Sequence, residues 1–68
     1  MAETVYKKIE LVGTSSKSFD EAVSNAVEKA AQTIHGMSWF EVTEMRGAIA
    51  DGKVKEFQAT VRVGFRID

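Results

Sequence analysis

The single tryptophan, Trp39, opens a segment that reads as a strand and continues Phe40-Glu41-Val42. Period-two alternation puts it on the polar side with Glu41, Thr43 and Met45, where an indole has no packing reason to be. There it is either an anchor for another subunit or a stacking platform for a flat ring. Gln58 falls on the same side and offers donor and acceptor together, which suits an imide or pyrimidine edge as well as it suits water. The two residues are six rungs apart along the ladder, roughly 20 Å, so they can meet at one ligand only across a subunit boundary. The arginines are Arg46, Arg62 and Arg66. Arg62, opposite Glu41, reads as one half of a cross-strand ion pair. Counting back from the turn sets Arg46 opposite Phe57 on the largely apolar side. A guanidinium there must meet an anion, stack on an aromatic ring or emerge where the sheet is uncovered.

Other constellations carry less chemistry. Gly13-Thr14-Ser15-Ser16-Lys17-Ser18 ends in Lys-Ser before a helix, but it lacks both glycines at phosphate-loop spacing and reads as a loop with an N-cap. Glu41 and Glu44 are three apart on a strand and so point to opposite faces, which excludes a carboxylate pair within it. His35 has no Asp, Ser or second His at a telling spacing and reads as a cation at a helix C-terminus. With no nucleophile–base pair and no nicotinamide fingerprint, the sequence reads as that of a non-enzyme.

The elements that must position these residues run in the order β-α-β-β. A first strand is predicted over residues 4–12, with Val5, Ile9 and Leu11 on one face and Tyr6, Lys8 and Glu10 on the other. Residues 13–17 read as a loop. Ser18-Phe19-Asp20-Glu21 forms a capping box. Phe19, Ala22, Val23, Ala26, Val27, Ala30, Ala31 and Ile34 then recur at helical spacing as far as His35 and Gly36, with Gly36 as C′ residue. Two long strands follow, residues 39–50 and 53–67, joined by Asp51-Gly52, the signature of a type I′ hairpin turn. In the second of these, Phe57, Ala59, Val61, Val63, Phe65 and Ile67 alternate strictly with polar residues and glycine, and pairing about the turn sets Phe40 opposite Val63 and Val42 opposite Val61. With the last strand in the middle, the fold is α+β, a three-stranded antiparallel sheet over one helix.

The 68 residues make one domain, 44% hydrophobic and 28% charged, the balance of an ordinary soluble protein. There is no cysteine, and nine basic against ten acidic residues give no electrostatic footprint for nucleic acid. No apolar run spans a bilayer and no signal-peptide pattern opens the chain, so the expected location is cytoplasmic. So small a domain is marginal alone, and neither disulfides nor a metal site is at hand to staple it. A helix of about 17 residues, roughly 26 Å, also falls short of hairpin arms reaching roughly 43 Å. The expectation is an oligomer built on the hairpin.

The run Val5-Tyr6-Lys7-Lys8-Ile9-Glu10-Leu11-Val12-Gly13-Thr14-Ser15, then Trp39-Phe40-Glu41-Val42, Arg46-Gly47, Phe57-Gln58 and Val63-Gly64-Phe65-Arg66 together resemble the dodecins. These are small flavin-binding proteins of bacteria and archaea, and the resemblance covers nearly the whole chain. It implies a hollow homododecamer of β-α-β-β protomers whose sheets wrap around their helices, storing flavin as stacked pairs between tryptophans of two subunits. It assigns Trp39 to stacking and Gln58 to the isoalloxazine edge. Arg46 resembles the bacterial branch, which implies FMN as ligand, with riboflavin or FAD as alternatives. Coenzyme A is a further implied ligand on the shell, and Tyr6 and Arg66 are candidate contacts to phosphate-bearing ligands. The competing reading is a ligand-free structural or adaptor homo-oligomer that uses the long hairpin as its interface.

Overall fold

Strict alternation over Phe57–Ile67 marks the last strand as the central strand of the sheet. The structure, a computed structural model, describes residues 3–67. The chain runs β1 (Val5–Ser15), α1 (Phe19–Ala31), β2 (Met37–Ala50) and β3 (Lys53–Ile67). The sheet order is β1-β3-β2, with both edge strands antiparallel to β3. Asp51 (φ 54°) and Gly52 (φ 73°) are both left-handed, as the type I′ turn requires.

The helix lies on one face of the sheet. Ala22, Ala26 and Ala30 form its buried stripe, and Ala59, Val61 and Val63 of β3 face it, flanked by Ile9, Leu11, Val23 and Met37. Small side chains let the backbones close together. At Gly13 of β1 a Cβ would overlap the Ala22 carbonyl oxygen and stand 2.8 Å from Ala26 Cβ.

Where β1 meets α1, the capping box takes a relayed form. Ser18 Oγ accepts from the Glu21 N–H at 3.0 Å, as expected. The Glu21 carboxylate, however, does not reach back to the Ser18 backbone: it accepts from Ser15 Oγ at 2.8 Å, and Ser15 Oγ in turn accepts from the N–H groups of Lys17 and Ser18. Ser15 is only 6% exposed, and its hydroxyl uses its donor and both acceptor sites. Replacing Ser18 by alanine removes the direct cap, with an expected cost of about 1 kcal/mol. The shift in urea midpoint at one fixed protein concentration measures it, and an unchanged midpoint would assign the capping to Ser15 alone.

β1 begins one residue later and β2 two residues earlier than expected, at Val5 and Met37, and two boundaries differ by more. β1 continues through Gly13-Thr14-Ser15, because β3 offers ladder partners as far as Phe57. The helix ends at Ala31, with Gln32 as C-cap and Lys29 as the basic residue of its last turn, so neither His35 nor Gly36 closes it. The reason lies in the sheet: the Gly36 carbonyl already accepts from the Arg66 N–H at 3.2 Å, and the chain must leave the helix early to reach it.

A helix of 13 residues spans roughly 20 Å, whereas the molecule extends 57 × 21 × 13 Å. The radius of gyration is 14.3 Å, against about 11 Å for a compact domain of this length. Beyond the helix the hairpin stands uncovered, with Ile49 75% and Val54 63% exposed.

Candidate functional site

The face of the sheet away from the helix carries the candidate residues in two groups. At one end, β3 has no side chain at Gly64, whose partners are Lys8 of β1 and Trp39 of β2. The Trp39 indole lies over that gap. A Cβ built on Gly64 would overlap Cε2 and Cζ2 and stand 2.6 Å from Cη2. Contact with three successive atoms of the six-membered ring means that the indole presents a face, and not an edge, to the glycine. Tyr6 flanks it, with ring centroids 6.0 Å apart and planes inclined by 54°. Arg66 is the cross-strand partner of Tyr6. Trp39 remains 40% exposed, a large open surface for an indole.

Between the two groups runs a band of paired charges. Lys8 Nζ donates to Glu41 Oε2 at 2.8 Å and Arg62 Nε donates to Glu10 Oε2 at 3.2 Å. Arg62 therefore takes its ion pair on β1 and not from Glu41, its rung partner on β2. The Lys8 ammonium, hydrogen-bonded to Glu41 and attracting it, holds that carboxyl below its ordinary value, and Arg62 adds a smaller pull.

The second group is built by irregularities in the hairpin. Lys55 is an extra residue in β3, between the pairs Ala48–Glu56 and Ile49–Val54, and Thr43 is an extra residue in β2, between Val42–Val61 and Glu44–Thr60. Each shifts the register by one, in opposite senses. Phe40 and Val42 therefore face Val63 and Val61 as expected, while every pairing between the two bulges is displaced. Arg46 is opposite Gln58, not Phe57, and lies on the polar face. Met45 pairs with Ala59 on the helix side, and Glu44 shares the outer face with Glu41, contrary to plain alternation. Arg46 Nη2 donates to Glu44 Oε1 at 2.8 Å and to Thr60 Oγ1 at 2.7 Å, so the apolar setting expected for this guanidinium is replaced by a hydrogen-bonded one. Gln58 Nε2 donates to Glu56 Oε1 at 2.9 Å.

One chain thus brings together Trp39, Tyr6 and Arg66 at one end, and Arg46 with Gln58 at the other. Gln58 is six residues along β3 from Gly64, the rung of Trp39, or roughly 20 Å. Gly64, Glu44 and Thr60 belong to these groups without having been anticipated. The signal for Gly64 was present, since a glycine inside a continuous strand marks a close approach. Among the described residues no group of three or more His, Cys, Asp or Glu side chains could hold a metal ion. No helix among the described residues is long and apolar enough to cross a membrane.

A single short helix on a long three-stranded antiparallel sheet, with an indole laid open on the opposite face, defines a class of small α+β proteins. The dodecin family model matches residues 5–68, and the chain belongs to the dodecin family. It is 47% identical over 64 residues to the dodecin of Thermus thermophilus, covering 94% of this chain and 93% of that protein. The crystal structure of a Thermus thermophilus protein superposes with a TM-score of 0.91 at 45% identity, covering 97% of each chain. The dodecin of Streptomyces coelicolor superposes with a TM-score of 0.93 at 46% identity, over 100% of this chain and 97% of that one.

Proposed function

We propose that the protein is a flavin-binding storage and buffer protein, assembled as a homododecamer, that takes up FMN by stacking it on Trp39. The observation that carries this reading is the indole seated by one face on Gly64, with 40% of Trp39 still exposed. A fused, planar, electron-poor ring is the natural complement of such a surface. A bound flavin would supply a light-absorbing ring that accepts an electron when excited. The Trp39 indole donates that electron and takes it back, so excitation ends as heat with no net redox change. Gln58 and Arg46 of a neighbouring chain complete the site at the imide edge and the phosphate, and riboflavin or FAD would use the same platform. Tyr6 and Arg66 are the candidate contacts for a second phosphate-bearing ligand such as coenzyme A on the shell. A reservoir of this kind belongs in the cytoplasm.

The assembly is supported by what one chain leaves uncovered. Its accessible surface is 5039 Å², against about 4,250 Å² for a compact monomer of this mass. Phe40, Val42, Met45, Ile49 and Val54 are all exposed. Apolar surface of this extent on a soluble chain marks an interface, and the ligand-free adaptor reading rests on the same surface.

Titration of ligand-stripped protein with FMN tests the function. Flavin fluorescence should be strongly quenched, saturating at about one flavin per chain, because each chain offers a single open indole face. Unquenched FMN at micromolar protein would favour the adaptor.

A further inference from the structure

Side chains on a strand stand roughly perpendicular to the sheet, and a tryptophan in such a pose exposes both faces of its ring. Trp39 does not adopt it. The gap at Gly64 lies between Arg62 and Arg66 along β3, two residues to either side on the same face. Lys8 and Trp39 stand beside it across the sheet. Any side chain at position 64 would meet the ring, since even a Cβ overlaps it. Tyr6 inclines against the indole, so the ring is bounded below by the backbone of β3 and flanked by a second aromatic.

We propose that Gly64 is the positioning residue of the flavin site: the absence of a side chain there lays the Trp39 indole flat on the sheet and leaves one ring face to stack. The inference rests on the flavin-carrier reading for its ligand, but the seat itself is a property of this chain alone. A one-faced platform selects fused planar rings that approach along the sheet normal, and it limits each tryptophan to one ring. It also fixes the plane in which the ring must lie, so that two protomers can hold stacked rings only where their platforms face each other.

The test compares Gly64→Ala with the unaltered protein by two readouts. The first is the near-ultraviolet circular dichroism of the ligand-free protein, which reports the setting of the single tryptophan. The second is the FMN titration. A displaced indole should change the tryptophan band and weaken FMN binding about tenfold or more, with the far-ultraviolet spectrum and assembly size retained. In a Trp39→Ala background the same glycine change should have no further effect on FMN, because the methyl group then has room. An unchanged tryptophan band, or an equal loss of affinity in both backgrounds, overturns the proposal. Should Gly64→Ala alone fail to assemble, the double variant must assemble; its failure would show that the methyl group clashes with something other than the indole, and would equally overturn it. If the unaltered protein does not bind FMN, the carrier reading falls, and the tryptophan band alone decides the seat.

Discussion

Trp39→Ala is expected to leave a protein that binds FMN weakly and no longer darkens it. Alanine substitution of an aromatic stacking partner costs about 1–3 kcal/mol per stacked ring, as measured for nucleobases, which corresponds to about 5- to 150-fold in affinity. The upper part of that range applies here, because Tyr6 and the Gly64 backbone hold the indole in place before the ligand arrives, so little ordering is left to oppose binding. The fluorescence of whatever flavin still binds should rise, since the chain has no second tryptophan to act as donor. Fluorescence titration followed by equilibrium dialysis separates the two effects. A variant that binds FMN as tightly and keeps it as dark would remove Trp39 from the site. Trp39→Phe retains a ring with a smaller face and weaker electron-donating power. It should lose quenching before it loses affinity, whereas a tryptophan serving only as a packing anchor would show its loss in the size of the assembly.

Gly13→Ala is expected to prevent stable folding. The added methyl group would overlap the Ala22 carbonyl oxygen, with Ala26 Cβ at 2.8 Å and the Ala22 carbonyl carbon at 2.9 Å. None of these atoms is the end of a flexible side chain, so the whole helix must lift from the sheet. That lift opens the contact between Ala22 and Ala26 on the helix and Ala59, Val61 and Val63 on β3, the centre of a small core. Overpacking a well-packed core costs about 1–3 kcal/mol where side chains can adjust, and rigid backbone on one side of the clash places this site at or beyond the top of that range. A chain of this length has about 3–10 kcal/mol in total. Thermal and urea unfolding at matched protein concentration would measure the loss. A variant within about 0.5 kcal/mol of the unaltered protein, the range of an unremarkable surface substitution, would mean that the helix does not rest on Gly13.

Much of this architecture can be read from the chain alone. Alternation over Phe57–Val63 identifies the central strand, Asp51-Gly52 identifies the turn, and the alanine stripe identifies the helix face. These signals are local and repeat over many residues, which makes them robust. The separation of Trp39 from Gln58 follows from the same counting. The surroundings of Arg46 do not. They depend on bulges at Thr43 and Lys55, two ordinary strand residues with nothing in their type to mark them. The helix end is likewise decided at a distance, by the bond from the Arg66 N–H to Gly36, which outweighs the local periodicity that runs on to Ile34. The seat of Trp39 depends on Gly64, distant in sequence, and only the pairing of β2 with β3 brings them together.

The opposed bulges behave like a pair of compensating frameshifts. Thr43 and Lys55 each throw the inside–outside reading of the hairpin out of phase, and each restores what the other disturbs. The interval from Glu44 to Ala48 is decoded in the shifted phase, while Trp39 through Val42 is decoded in the original one. Counted from the turn, straightening the ladder at Thr43 alone would turn Trp39 to the helix side, straightening it at Lys55 alone would turn both Arg46 and Trp39, and straightening it at both would turn only Arg46. Deleting either extra residue closes its bulge and leaves the other pairings as they are, so what the two strands must preserve is phase and not length, even though Thr43 and Lys55 do not face each other in the ladder.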